Sequence, residues 1–312
     1  MNDAPRPDWR VHAALLIVQV TFGAFPVVGK GVLVHLPPLA VAALRVALAT
    51  PILLALAWRV DRVLPARRDL PTLFLLGLLG VFANQVLFMI GLELTTATAA
   101  GILMPSIPVF ALLAAAVLGQ QRLTTRSATG VALAVAGALA ILNPMRLAGN
   151  PGGTLGNGLI LLNCLAFAMY LVLQRPVLRR LPPLTTVAWS FLLGGSGVVV
   201  VGLPALVSVQ PAALPTGVWI GLAYIVLFPT VLNYFLNAWS LGRSSPALVA
   251  AYTTLQPLVA AGLAALFLRE SLHTRHLLGF LLISAGLAAI SRPGGMPAGT
   301  GVTTPPVDSA KC

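Results

Sequence analysis

Residues 84–141 read NQVLFMIGLELTTATAAGILMPSIPVFALLAAAVLGQQRLTTRSATGVALAVAGALAI, and residues 233–290 read NYFLNAWSLGRSSPALVAAYTTLQPLVAAGLAALFLRESLHTRHLLGFLLISAGLAAI. The two stretches align without a gap. Pro108 falls on Pro257, which gives a constant offset of 149 residues (257 − 108). A copy of this length predicts that the chain is built from two equivalent units, so the repeat is considered before any single residue.

The composition is that of an integral membrane protein. Of the 312 residues, 58% are hydrophobic and 8% are charged, and the mean hydropathy is +0.95. A soluble domain has about 25% charged residues. The formal net charge is +12, but the basic residues lie between long apolar runs, as topology signals do. We therefore expect this chain to lie in a lipid bilayer and not to bind nucleic acid.

Ten apolar stretches are candidates for membrane-spanning helices, since a span needs about 20 mostly apolar residues. The fifth and tenth are short. The stretches cover residues 12–33, 38–58, 70–92, 96–118, 125–142, 155–175, 184–207, 215–240, 246–268 and 274–291. The predicted fold class is therefore an all-α integral membrane protein with ten transmembrane helices.

A linker rich in turn-forming residues, 143–154, divides the chain into two halves. The first five-helix repeat is predicted to cover 12–142 and the second 155–291. Residues 1–11 form an N-terminal tail. Residues 292–312 are rich in Pro, Gly and Thr, which predicts a disordered C-terminal tail.

The front of each half is also copied, at an offset of 145 residues. Pro37 and Pro38 fall on Pro182 and Pro183. Because each unit has an odd number of spans, the second unit must enter the membrane upside down relative to the first. This is the inverted-topology repeat typical of secondary transporters.

The loops predict the orientation of the chain. If both termini are cytoplasmic, 14 Lys and Arg residues lie on the inner side and 4 on the outer side, with Arg45 inside a span. Cytoplasmic loops carry the excess of basic residues. We therefore expect a multi-pass protein of the inner membrane with both termini in the cytoplasm.

Three motifs resemble the drug/metabolite transporter superfamily, in particular its EamA type. They are FGAFPVVGK (22–30), P-P-L-x5-R (37–45) and E-S-L-x6-G-x6-G (270–286). The chain departs from the family where Phe22 replaces a common Trp, and Ser190 stands in the second half where Arg45 stands in the first. The resemblance implies inner-membrane solute transport by alternating access, commonly the efflux of amino acids or other metabolites.

Polar and aromatic residues within spans are the candidate substrate pathway, because unsatisfied polar groups are costly in hydrocarbon. Most follow helical spacing along one face of a span. The predicted pathway residues are Phe22, Phe25, Arg45, Asn84, Phe88, Asn163, Tyr170, Thr230, Asn233, Asn237, Tyr252 and Gln256. The alternative is that these groups only bridge neighbouring helices.

Arg45 is the only basic side chain well inside a span, roughly 10 Å from its outer end. It either extends towards the headgroups, pairs with Glu93, or meets an anionic group of the substrate. Prolines predict breaks in the spans, and paired breaks point to a transporter's site or hinge. Pro105, Pro108 and Pro257 are the predicted hinge residues.

Other chemistry has no support in the sequence. We find no HExxH, no P-loop and no nucleophile–base set, so we expect no enzyme, no metal site and no cofactor. All seven Asp and Glu lie at span ends, in loops or in tails, which argues against a proton relay in the middle of the membrane. Small residues line the fifth and tenth spans and predict either close packing or a homodimer seam.

The sequence therefore favours a carrier of small metabolites. A lipid-linked flippase or scaffold on the same architecture is the first rival, and a lateral opening with basic residues near the headgroups would favour it. A membrane-embedded enzyme would need a convergent polar triad or metal site. Paired prolines and inverted repeats fit a rocking carrier better than they fit a channel with a fixed pore.

Overall fold

The computed structural model describes residues 9–119, 124–142, 151–241, 252, 255–269 and 273–291. The predicted C-terminal tail and most of the predicted linker and N-terminal tail lie outside the described residues. Every regular element within the described residues is helical. Large apolar side chains such as Val200 face outward, 70% exposed, while polar ones such as Thr230 and Ser190 are fully buried. This arrangement suits a protein surrounded by lipid.

The helices are numbered here in chain order, and three of them contain a local change of helix type. They are α1 (Trp9–Leu33), α2 (Pro38–Val60), α3 (Leu70–Gly77, the π-helical Leu78–Ala83, then Asn84–Leu94), α4 (Ala97–Leu103, the 3-10 turn Met104–Ser106, then Ile107–Val117), α5 (Thr125–Leu142), α6 (Pro151–Val177), α7 (Pro183–Val207), α8 (Thr216–Val226, the π-helical Leu227–Leu232, then Asn233–Leu241), α9 (Gln256–Phe267) and α10 (Thr274–Ser291).

Within the described part of the chain, seven helices are long and apolar enough to cross a membrane. These are α1 to α4 and α6 to α8. Shorter apolar helices lie in α5, α9 and α10. The prediction of an all-α membrane protein is confirmed, and ten crossings in two inverted units stay a proposal.

Helices α2 and α7 pack along one another in opposite directions. Each begins with the second residue of a Pro-Pro pair, a favourable start because the first turn of a helix has no use for the missing N–H. Asp61, just after α2, accepts hydrogen bonds at 2.8 Å from both the backbone N–H and the hydroxyl of Thr185 near the start of α7. At the other end, a Cβ on Gly202 would lie 2.5 Å from the Leu39 carbonyl oxygen.

Helices α5 and α10 also pack against each other in opposite directions, through glycines. A Cβ on Gly137 would lie 2.8 Å from the Gly279 carbonyl oxygen, and one on Gly286 would clash with the Gly130 carbonyl. Glycine lets the two backbones approach this closely. The small-residue stripes predicted from the sequence therefore pack within one chain.

The middle of the molecule lies between helices from both halves. Helix α3 packs against α6, and α1 packs against α8 and α9. The two π-helical segments, Leu78–Ala83 in α3 and Leu227–Leu232 in α8, are separated by the repeat offset of 149 residues (227 − 78). Each leads directly into the matched asparagine, Asn84 or Asn233. Sequence periodicity does not predict these segments, which often occur at functional sites.

Candidate functional site

Arg45 of α2 is the centre of the candidate site. It is only 4% exposed, so it does not extend to the surface. Its Nε donates to Thr230 Oγ1 of α8 at 2.7 Å, and its Nη1 donates to Gln85 Oε1 of α3 at 2.5 Å. The guanidinium is thus held by neutral side chains from two other helices.

Aromatic rings form the wall beside this guanidinium. The Arg45 Cζ lies 4.5 Å from the centre of the Phe25 ring of α1, within the range of a cation–π contact. The Phe25 ring in turn stacks on Phe88 of α3, with their centres 4.8 Å apart. Four predicted pathway residues, Phe25, Arg45, Phe88 and Thr230, are therefore brought together, and Gln85 joins them.

The Arg45–Glu93 pair considered from the sequence is not formed between these described residues. Glu93 is exposed at the end of α3, and its backbone carbonyl accepts a hydrogen bond from Lys30 Nζ at 2.9 Å. Spacing along the sequence gives only the depth of Arg45 along the axis of α2. The packing of α2 against the other helices turns its side chain towards the interior instead.

The π-helical segment of α8 positions Thr230. Its hydroxyl donates to the carbonyl oxygen of Ile225, five residues earlier, at 2.9 Å, while its oxygen accepts from Arg45. The wider turn of a π-helix closes hydrogen bonds between residues five apart. The local helix geometry is therefore coupled directly to the buried cation.

The matched asparagines both bond to a helix of the opposite half. Asn233 Oδ1 accepts from Thr21 Oγ1 of α1 at 2.8 Å, and its Nδ2 donates to the Val18 carbonyl at 3.4 Å. Asn84 Nδ2 donates to Asn163 Oδ1 of α6 at 2.6 Å. Val18 and Asn163 are themselves a matched pair at the 145-residue offset of the repeat fronts, so the two contacts are equivalent.

A third bridge joins α1 to α9 and the segment before it. Gln256 Nε2 donates to Gln19 Oε1 at 2.6 Å. About two helical turns nearer the N-terminus of α1, His12 Nδ1 lies 2.7 Å from the Tyr252 hydroxyl. The predicted pathway residues Gln256 and Tyr252 are thus paired with residues of α1 that sequence reasoning missed.

The remaining predicted residues lie apart from the Arg45 cluster. Tyr170 is buried against Gly80 in the π-helical segment of α3, and its hydroxyl accepts from Gln174 Nε2 at 2.9 Å. Phe22 and Asn237 are half-buried, and within the described contacts no hydrogen bond or ring stacking joins them to the cluster.

The predicted hinge prolines occupy breaks or starts of helices. Pro105 lies in the 3-10 turn that divides α4, and Pro108 is in the first turn of the helix that follows. Pro257 is in the first turn of α9, and residues 253–254 just before it lie outside the described residues. Whether these positions bend remains a prediction.

Gln19, Thr21 and Gln85 are the polar residues that sequence reasoning did not select. Gln85 follows Asn84, and Gln19 and Thr21 are two residues apart in α1, but none of the three has a second polar residue three or four positions away on its own face. Their polarity at membrane depth was the available signal, since such groups need partners. The partners themselves come from other helices and cannot be deduced from spacing along one helix.

Two open cavities lie at the end of the bundle where α1 ends and α8 begins. They are about 340 and 360 Å³, both reach His35, and neither is lined by Arg45, Asn84 or Asn233. Among the described residues, no three His, Cys, Asp or Glu side chains are placed to hold a metal ion.

The chain matches a transporter family, and its known relatives include a probable exporter. The model of the EamA-like transporter family matches residues 9–143 and 154–292. A probable terminal-alkyne amino-acid exporter of Streptantibioticus cattleyicolor is 29% identical, over 90% of this chain and 93% of its own length. The Protein WALLS ARE THIN 1 of Arabidopsis thaliana is 26% identical, over 89% of this chain and 81% of its own length.

A solved crystal structure has the same fold. It superposes with a TM-score of 0.64, covering 90% of this chain and 97% of that one, at 16% sequence identity. The family matches together span most of the chain, in two parts on either side of the linker. The chain belongs to the EamA-like transporter family: it is a membrane transporter and not an enzyme.

Proposed function

We propose that this chain is a secondary transporter that exports small metabolites, amino acids or related compounds, across the inner membrane by alternating access. One observation carries the proposal. Several hydrogen bonds of the centre join a residue of the first half to a residue of the second, namely Arg45–Thr230, Asn84–Asn163 and Thr21–Asn233. Rocking of one half against the other would break and remake these contacts.

The proposed architecture is ten membrane-spanning helices in two inverted repeats, 12–142 and 155–291. The antiparallel packing of α2 with α7 and of α5 with α10 supports it, because matched helices of inverted units run in opposite directions. The matched bridges from α3 to α6 and from α8 to α1 support it as well. In this proposal both termini are cytoplasmic, as the distribution of basic residues favours.

The moving parts in this proposal are the π-helical segments and the proline breaks. Leu78–Ala83 and Leu227–Leu232 precede the matched asparagines, and a π-helical turn can convert to regular α-helix by a small register shift. Pro105, Pro108 and Pro257 would bend α4 and α9 beside them. No acidic residue lies mid-span in the sequence, so we propose facilitated or exchange transport without a proton relay there.

A homodimer through α5 and α10 would have to use the outward faces of these helices. Their glycine stripes are already covered within the chain. The outward faces carry apolar side chains such as Val135, Leu139 and Leu281, which are 45%, 49% and 54% exposed. Cross-linking at these three positions in membranes tests that arrangement.

A flux panel in proteoliposomes tests the proposed function. We expect the purified protein to move at least one amino acid or related metabolite faster than protein-free liposomes do, and Asn233→Ala to slow that flux. Arg59→Gln, at the exposed end of α2, is the control. Wild-type flux in Asn233→Ala would contradict the site, and movement of lipid in place of every solute would favour the flippase.

A further inference from the structure

The strongest unexplained feature is a group of hydrogen-bond donors without acceptors beside Arg45. Gln85 is 1% exposed and gives its Oε1 to Arg45 Nη1. An arginine can only donate, so Gln85 must present its oxygen to Arg45. The amide nitrogen, Nε2, is then left to donate to some other group. Within the described residues, Nε2 is buried without a hydrogen-bond partner.

The guanidinium of Arg45 also has N–H groups that the described hydrogen bonds do not use. Arginine has five N–H groups, and the described hydrogen bonds use one on Nε and one on Nη1. The Nη2 donors make no hydrogen bond to the described side chains. A buried donor such as Gln85 Nε2 is costly unless an acceptor satisfies it, and the unused Arg45 donors lie beside it.

The charge of the centre is equally unbalanced. Arg45 is the only Lys or Arg well inside a predicted span, and no Asp or Glu lies mid-span. The neutral Gln85 and Thr230 and the Phe25 ring stabilise the cation but do not neutralise it. A buried ion without a counter-ion carries a large desolvation penalty.

We propose that Arg45 and Gln85 form the subsite for a carboxylate group of the transported solute. This inference rests on the proposed function and names its substrate class: small monocarboxylates, amino acids included. A carboxylate supplies the acceptor oxygens that Nη2 and Nε2 lack, and planar guanidinium groups bind it in a fork geometry. Its single negative charge balances the single cation, whereas a phosphate dianion would leave excess negative charge.

The phenylalanine pair defines the side of this subsite. Phe25 and Phe88 are buried and stacked, and the guanidinium lies over the Phe25 ring. The ring contact therefore helps to fix the position of the guanidinium in the subsite. Phe25 and Phe88 are positioning residues for the cation.

Matched carboxylate and carboxamide compounds provide the test. The thermal unfolding of the purified protein is followed with millimolar benzoate or benzamide, and with leucine or leucinamide. We expect the carboxylates to stabilise the wild type and the carboxamides not to. Arg45→Gln should weaken carboxylate binding about 10- to 100-fold, since it removes charge-assisted hydrogen bonds. Gln85→Leu should weaken it about tenfold, and Arg59→Gln should bind like the wild type.

Gln85→Glu separates a binding role from a structural one. It supplies an internal carboxylate to Arg45, so the unliganded protein should unfold at a higher temperature and the response to benzoate should vanish. A purely structural Arg45 would give the stabilisation without loss of the response. The same variant keeps the cation paired, so it remains informative if Arg45→Gln fails to fold.

The possible results distinguish the two proposals. Equal responses to carboxylates and carboxamides, or a full response in Arg45→Gln, would overturn the carboxylate subsite. So would flux of neutral solutes in the panel without any response to either carboxylate, although transport itself would then stand. Carboxylate binding without any solute flux would support the carboxylate subsite but overturn the proposed export of small metabolites.

Discussion

At the scale of residues, the centre is a set of polar pairs, most of which join the two halves, while Arg45–Gln85 lies within the first. Each pair satisfies groups that hydrocarbon cannot, yet such contacts are individually weak, at about 0.6 kcal/mol in membrane proteins. Weak bridges would suit the proposed alternating access, in which one half rocks against the other. The buried Arg45 is different, because its charge is expensive to leave without a partner.

The Asn84–Asn163 pair offers a direct measurement of one bridge. A double-mutant cycle of Asn84→Leu and Asn163→Leu should give a coupling free energy of unfolding of about 0.6 kcal/mol and not above about 1.7 kcal/mol. Unfolding in mixed detergent micelles provides the values. Additive effects of the two substitutions would show that the 2.6 Å contact contributes nothing.

The selected residues show how far sequence reasoning reaches at this scale. Arg45, Thr230, Asn84 and Asn233 could be selected because polar groups at membrane depth need partners. Their actual partners could not be selected from the sequence. Burial in an apolar environment implies that a polar group has a partner, but not which residue that partner is. Gln85 illustrates the limit: it lies beside Asn84 in the sequence, and only the packing of α2 onto α3 makes it a ligand of Arg45.

At the scale of elements, α3 and α8 carry the least regular geometry in matched places. A π-helical turn contains one more residue than the α-helix it interrupts. Deleting Leu227, which is 48% exposed, should restore a regular helix and keep the faces on either side in register. We expect this deletion to preserve folding and to abolish most of the solute flux.

The control for that deletion is Val200, in a regular part of α7 and 70% exposed. Its removal should rotate the following residues by about 100°, because successive residues of an α-helix are 100° apart, and should destabilise the protein. Equal loss of stability in the two deletions would contradict the role assigned to the π-helical segment.

The contact between α3 and α7 depends on two glycines. A Cβ on Gly77 would lie 2.6 Å from the Gly194 nitrogen, and one on Gly194 would clash with the Gly77 carbonyl. Backbone cannot yield as a side-chain end can, so Gly194→Ala should cost at least about 2 kcal/mol of unfolding free energy. Thermal unfolding measures this loss.

Gly262 in α9 is the matched control, since a Cβ there would meet nothing within 4 Å. Gly262→Ala should be neutral or stabilise the protein by up to about 1 kcal/mol, because alanine favours helix. A destabilisation equal to that of Gly194→Ala would mean that the α3–α7 contact is not close.

Elements were more predictable than their interruptions. The Pro-Pro starts of α2 and α7 and the glycine stripes of α5 and α10 follow from local rules, and the structure contains them. The π-helical segments do not follow from local rules, because their apolar residues are equally compatible with a regular α-helix. Only the hydrogen bonding of the folded helices reveals them.

At the scale of the whole molecule, the proposed topology makes a labelling prediction. In a variant without Cys164 and Cys312, single cysteines at His35 and Gln210 should react with an impermeant maleimide added to intact cells. Single cysteines at Arg62 and Arg179 should react only after permeabilisation. Labelling of the second pair in intact cells would contradict cytoplasmic termini.

Counterflow in proteoliposomes tests alternating access most directly. Vesicles are loaded with an unlabelled solute from the flux panel, and labelled solute is added outside at low concentration. The account predicts a transient accumulation of label above its equilibrium level, absent from protein-free vesicles and reduced in Asn233→Ala. Label that only rises to equilibrium, whatever the vesicles contain, would contradict it.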